Sequence, residues 1–157
     1  MTDTQIAYTI FDIGVHNLER GPEFWNVILP RVKAQLPRLD RHCTQAFMHT
    51  ILGAGNMQLQ DNELWDVLES KLVDEGLLRY FTLQEQAKIL CYFAHCGRGS
   101  DELIEQLERI FIKHRKALDV DPELLRLCKA GFGELNKGSD ILKRVLADPN
   151  VSLPQLE

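Results

Sequence analysis

Residues 82–116, TLQEQAKILCYFAHCGRGSDELIEQLERIFIKHRK, contain two helix starts and one turn, and their reading decides the fold. Thr82 and Glu85 stand in the spacing that lets a hydroxyl and a carboxylate each bond an otherwise unsatisfied backbone N–H, and Ile89, Leu90, Tyr92, Phe93 and Ala94 follow as an apolar run. A helix is therefore expected from Thr82. Gly97 and Gly99 supply the permissive backbone that ends it. Ser100 then caps a second helix, with Asp101 and Glu102 where the helix dipole favours acids. Leu103, Leu107, Ile110 and Phe111 recur at helical steps on one face of that helix, and Glu105 and Arg109 pair on the wet face. The stretch reads as two antiparallel helices joined by a glycine turn.

Working outward, the same unit recurs in weaker form on both sides. Phe24-Trp25-Asn26-Val27-Ile28 and Leu64-Trp65-Asp66-Val67-Leu68 superpose without a gap forty residues apart, and Thr4-Gln5 matches Thr44-Gln45 at the same spacing. Leu103-Ile104-Glu105-Gln106-Leu107 continues the series, and Ser139-Asp140 repeats Ser100-Asp101. The fold class expected is all-α, an α-solenoid of about four helix-turn-helix repeats of roughly 40 residues. The units fall at about 2–40, 41–81, 82–120 and 121–149 within a single domain of residues 1–149, with an extended tail over 150–157. Eight helices are expected, beginning near residues 4, 22, 42, 61, 82, 100, 122 and 139. Pro30 is expected to kink or end the second of these near Leu29. No segment alternates with period two, so no sheet is expected.

The 157 residues are enough for a substantial core, and an apolar fraction of 45% against 26% charged residues is that of a soluble protein. The four cysteines, Cys43, Cys91, Cys96 and Cys128, are scattered through helical segments, which reads as reduced packing residues and not as a disulfide framework. No run is long and apolar enough to span a bilayer, and the N-terminus shows no presequence pattern. The net charge of −5 weighs against a nucleic-acid groove as the main surface. Two local basic groups stand out against it. Arg31, Lys33, Arg38 and Arg41 surround the first inter-repeat loop, and Arg109, Lys113, Arg115 and Lys116 end the Ser100 helix, where cations complement the dipole.

Chemistry-bearing residues lack the spacing that catalysis or metal binding requires. Cys91, His95 and Cys96 cluster within six residues, but no second close pair completes a zinc set, so packing cysteines beside a turn-proximal histidine are expected. Gly53-x-Gly55 and Gly131-x-Gly133 follow no strand and lack the third glycine of a dinucleotide fingerprint. Asp61, Glu63, Asp66 and Glu69 lie along one helix and read as a solvated or docking face. The reading is of no enzyme, with no catalytic residues, no cofactor and no metal.

The run Ala87-Lys88-Ile89-Leu90-Cys91-Tyr92-Phe93-Ala94-His95-Cys96-Gly97, followed by Asp101, Leu103 and Leu107, resembles the helix-turn-helix unit of the FAST-kinase-like, octotricopeptide and related organellar helical-repeat proteins. That resemblance implies an α-hairpin architecture and a mitochondrial setting, the alternative being cytoplasmic. Many such proteins act on RNA, and some are structural subunits of large complexes. This chain departs from the RNA-acting members in its four units, its acidity and the lack of an appended C-terminal domain. The expected function is a non-enzymatic protein–protein interaction module, an accessory or structural subunit whose partners are protein subunits of a larger assembly; the alternative is an RNA-binding repeat protein. The candidate partner-binding residues are Ile6, Ile10 and Phe11 of a mostly apolar first helix, Asp61 and Asp66 on the acidic helix, and Val151, Leu153 and Leu156 of the tail.

Overall fold

Five of the described helices start at a side chain that accepts from a first-turn N–H. The computed structural model describes residues 22–56 and 59–150. Among them are eight helices and no strand, so the described chain is all-α: α1 Pro22–Gln35, α2 Thr44–Asn56, α3 Asn62–Val73, α4 Leu83–His95, α5 Asp101–Lys113, α6 Arg115–Val120, α7 Pro122–Leu135 and α8 Asp140–Ala147. Short 3-10 turns occupy Leu36–Arg38 and Leu77–Tyr80. The expected starts near 22, 42, 61, 82, 100, 122 and 139 therefore meet helices beginning at Pro22, Thr44, Asn62, Leu83, Asp101, Pro122 and Asp140. The helix expected from residue 4 and the tail beyond Asn150 lie outside the described residues. The backbone divides into two compact units, Met1–Phe81 and Thr82–Glu157.

In the first unit α1 continues through Pro30 instead of ending at Leu29. Pro30 is exposed, while Ile28, Val32 and Leu36 recur at four-residue steps and are buried, so burial on both sides of the proline outweighs the hydrogen bond it cannot donate. Trp65 on α3 is 1% exposed, and its indole N–H donates to Leu59 O at 2.8 Å, giving the one polar atom of a large apolar side chain a partner. Helix α3 packs against both 3-10 turns. Phe47 of α2 meets Phe81 with ring centroids 5.7 Å apart.

The second unit consists of two helical hairpins. Helix α4 packs most extensively on α7, α5 packs on α8, and the members of each pair, α4 with α5 and α7 with α8, also touch. First helix lies on first helix and second on second. Thr82 accepts from Glu85 N at 3.1 Å while the Glu85 carboxylate accepts from Thr82 N at 2.9 Å, completing the expected capping box. The two turns are joined as well, because Lys137 Nζ donates to Gly99 O at 3.1 Å and to Asp101 at 2.9 Å. Glu108 on α5 accepts from Ser139 N, the cap of α8, at 2.7 Å. Phe111 and Phe132 meet edge to face at 6.2 Å.

Helix α6 has no counterpart in the expected set. At His114 the backbone leaves helical geometry (φ −104°, ψ 29°), and the chain restarts with Ala117 N bonding His114 O. Leu118, 1% exposed, anchors the short helix to the core. The cations read as ending α5 thus span a break that hydrophobic periodicity alone does not mark.

The approach of α7 to α4 depends on Gly131. A Cβ there would lie 2.6 Å from Leu90 Cγ, and Leu90 is fully buried with little room to yield. Gly131→Ala is therefore expected to lower stability by about 1–3 kcal/mol through overpacking. Gly133→Ala, two residues along the same helix where an added methyl meets nothing within 4 Å, should raise stability by up to ~1 kcal/mol through helix propensity. Trp65→Ala should cost about 3–5 kcal/mol. Urea denaturation of the three variants checks all three, and equal effects at Gly131 and Gly133 would contradict the close packing.

Candidate functional site

An open concavity with marked charge character lies in the first unit, where three short elements converge. Segment Pro37–His42 connects the first 3-10 turn to α2 and is anchored by Leu39, 3% exposed. Asp40 Oδ1 accepts from His42 N at 2.8 Å, an Asx-type turn that sets the direction of Arg41 and His42. The end of α3 contributes Lys71 and the following Glu75, and the second 3-10 turn contributes Leu77 and Tyr80. Together they line an open cavity of about 520 Å³.

Lys71 makes the segment part of the framework. It is 3% exposed, and its ammonium donates to Pro37 O at 2.8 Å and to Glu75 Oε1 at 3.1 Å, so two of its three protons have acceptors in this unit. A buried ammonium without such partners would be strongly disfavoured. Arg41 and Tyr80 line the same cavity, and Arg79 lies on the Tyr80 ring. Arg79 Nη2 donates to Tyr80 Oη at 2.8 Å with its guanidinium carbon 4.9 Å from the ring centroid. Arg41 Nε in turn donates to His42 Nε2 at 3.3 Å. Arg41, followed by Arg79, holds the Tyr80 phenol below its ordinary pKa. The hydrogen bond from His42 N keeps Asp40 below the usual carboxylate range. Among the described residues neither Arg41 nor Arg79 forms an ion pair with a carboxylate, and the cavity is lined by Arg38, Arg41 and Lys71 against Asp40 and Glu75, with Arg79 beside it on Tyr80. The lining is net positive.

The cysteine cluster is arranged for packing. Cys91 Sγ–H donates to Leu127 O across the α4–α7 contact at 3.1 Å, whereas His95, one turn on, places Nδ1 3.8 Å from Glu134. Burial raises the thiol pKa of Cys91 and Cys96, and pushes that of the fully buried Cys128 up to about 12. Raised thiols are poor nucleophiles and poor ligands at neutral pH. Among the described residues no three His, Cys, Asp or Glu side chains gather as a metal would require.

Of the partner-binding candidates, Asp61 accepts from Leu64 N at 2.9 Å as the cap of α3 and pairs with Lys33 at 2.9 Å. Asp66 is exposed on the same helix, with Glu63 beside it. Ile6, Ile10, Phe11, Val151, Leu153 and Leu156 lie outside the described residues. Arg38 and Arg41 were flagged by the basic composition of their loop; Lys71, Arg79 and Tyr80 were not. A signal for Lys71 exists, since it falls three residues after Leu68 and beside Leu72 on the apolar stripe of α3. Tyr80 and Arg79 have no comparable signal, because only folding brings their turn to Arg41.

No protein-family model matches the chain, and a comparison with curated proteins finds no match. The organellar-repeat resemblance therefore rests on the residues quoted for it.

The Cys128 thiol supplies a measurable consequence. Below its ordinary value of 9.0 the folded and unfolded states both keep the proton; between 9.0 and about 12 only the folded state does, so stability falls as pH rises through that window. Between about pH 8 and about pH 10.5, the native protein is expected to lose about 2 kcal/mol more than Cys128→Ala, measured from urea midpoints. Equal losses would mean that Cys128 is not shielded as described.

Proposed function

We propose that the protein is a non-enzymatic interaction module, a short α-solenoid of about four hairpins that docks protein subunits of a larger assembly as an accessory or structural subunit. The in-register stacking of the two hairpins of the second unit supports the repeat architecture. The observation that carries the functional reading is the concavity in the first unit, where Arg41 and Tyr80 share the lining, the Arg79 guanidinium rests on the phenol and a buried lysine holds the wall. Groups fixed before a partner arrives lower the ordering cost of binding. In this reading the apolar N-terminal segment with Ile6, Ile10 and Phe11 and the tail with Val151, Leu153 and Leu156 add apolar contacts, while Asp66 and Glu63 contribute charge at the rim. Asp61 is committed to the start of α3 and to Lys33. The mitochondrial compartment comes from the family resemblance. The second reading, RNA binding, is favoured by the same cations, but the acids of α3 and the net charge of −5 oppose a long polyanion.

The test is purification of the tagged full chain from cells, with and without nuclease, alongside an Ile10→Asp/Phe11→Asp version whose helicity is checked by circular dichroism. The expected result is a stoichiometric complex with identified polypeptides that resists nuclease and is at least about tenfold depleted in the double variant, a change of about 1.4 kcal/mol. Recovery of RNA, with protein partners released by nuclease and unaffected by the two substitutions, would replace this reading with the second.

A further inference from the structure

The two hairpins of the second unit match in register at a spacing of thirty-nine residues. Thr82 and Asp121 cap their first helices, and Gly97 and Asn136 follow those helices in the left-handed region, with φ of 67° and 53°. Arg98 N and Lys137 N then close on Phe93 O and Phe132 O at 2.8 and 3.1 Å, and Ser100 and Ser139 cap the second helices. Each position of the earlier hairpin therefore has a structural counterpart in the later one.

The comparison shows what an equivalent face is covered by. Leu90 and Ile104 of the earlier hairpin are buried against the later one. A Gly131 Cβ on α7 would lie 2.6 Å from Leu90 Cγ, and Ile104 Cδ1 and Leu135 Cδ1 lie 3.3 and 3.8 Å from the point a Gly99 Cβ would take. The counterparts of Leu90 and Ile104 are Lys129 and Lys143, both exposed. Ala94, 4% exposed, is matched by Gly133, an open position where an added methyl meets nothing within 4 Å. Phe132, Leu142 and Leu146 keep the apolar character of Phe93, Leu103 and Leu107. They line a groove of about 210 Å³ between α7 and α8, to which α7 contributes Lys129 and α8 contributes Lys143.

Resting on the interaction-module reading, we propose that this groove docks an acidic amphipathic helix of a partner polypeptide, seated on α7 and α8 much as α7 is seated on α4, with its apolar stripe toward Phe132, Leu142 and Leu146 and carboxylates against Lys129 and Lys143.

The helical form of the occupant follows from the register. The same backbone arrangement presents the same ridges and grooves, and on the earlier hairpin those receive a helix at close range. Its acidity follows from the exchanges. A face that only ended the stack would need polar residues of either sign, yet both large apolar residues give way to lysine in a chain with 18 basic and 23 acidic residues. These two ammoniums are uncommitted: among the described residues neither Lys129 nor Lys143 pairs with a carboxylate. Lys137, which also lines the groove, is held by Asp101 and by Gly99 O, and Arg126 is held by Glu123, so neither is counted. A lysine stem covers apolar floor while its head stays in water, which keeps the empty face soluble. Two free cations offer little to a nucleic-acid strand, and Phe132, 2% exposed, cannot stack a base. The acidic α3 of a second copy does not fit either, because its apolar stripe of Leu64, Trp65 and Leu68 is already buried.

The experiment uses the full chain and a labelled amphipathic peptide, stapled to hold it helical, with leucines on one stripe and glutamates at both flanks. Binding is read by fluorescence anisotropy, and carbodiimide cross-links from the glutamates are mapped by mass spectrometry. The expected result is saturable binding with cross-links at Lys129 and Lys143, at least about tenfold weaker in Lys129→Glu/Lys143→Glu, with affinity recovered when the peptide's glutamates are exchanged for lysines. Gly133→Gln, which places a side chain in the groove without removing a charge, should also weaken binding about tenfold. All three positions are exposed, so circular dichroism should show unchanged helicity. Binding unaltered in both variants, or cross-links confined to other lysines, overturns the site. Tighter binding of a single-stranded RNA through the same lysines overturns the polypeptide assignment, and a concentration-dependent dimer in sedimentation that the two reversals abolish gives the face to a second copy instead. Each of these failures leaves the module reading standing as long as the nuclease-resistant complex still depends on Ile10 and Phe11.

Discussion

The N–H groups of a helix's first turn have no carbonyl within the helix to bond, and five of the eight described helices give them a side-chain acceptor at the same place. Asp61, Thr82, Ser100, Asp121 and Ser139 each accept from a backbone N–H two or three residues on. Each cap is worth about 0.5–2 kcal/mol, small beside the core but decisive for where a helix begins. Fixed starts fix which residues face inward. With Thr82 and Asp121 setting the starts of α4 and α7, Leu90 and Gly131 meet across the contact, and the missing side chain of Gly131 lets the axes come close. Capping and packing are thus one constraint seen at two scales.

The caps also explain what the sequence made legible. A cap is a local arrangement of three or four residues, so Thr82 with Glu85, Ser100 with Asp101 and Asp121 with Pro122 could be read without knowing what surrounds them. Breaks and continuations inside helices are tertiary matters. At Pro30 propensity argued for a stop, but Val32 and Leu36 had a core to enter and the helix went on. At His114 propensity argued for nothing, yet the chain turned so that Leu118 could be buried. The conflict in both cases was settled by apolar burial, which a linear pattern does not locate.

The basic cavity of the first unit was legible only in its loop. Arg38 and Arg41 announce themselves as charges in a Pro-bounded segment, whereas Tyr80 lies about forty residues away in a turn whose sequence carries no motif. Lys71 sat in plain view as a lysine on an apolar stripe. Its meaning needed the Pro37 carbonyl, an acceptor that no sequence pattern points to because every residue has one. Main-chain acceptors are the least readable half of any polar site.

The carboxylate of Glu108 against the first N–H of α8 has a consequence for how the second unit folds. With eight residues, α8 is too short to be helical in isolation, and part of its end cap is contributed by a side chain on α5. Its nucleation is therefore conditional on the earlier hairpin already being in place. Lys137 repeats the dependence from the other direction, since an ammonium in the later turn closes the carbonyl of Gly99 in the earlier one. Neighbouring hairpins that complete each other's ends in this way gain or lose their order together, which gives a small helical array the cooperativity of a single globule.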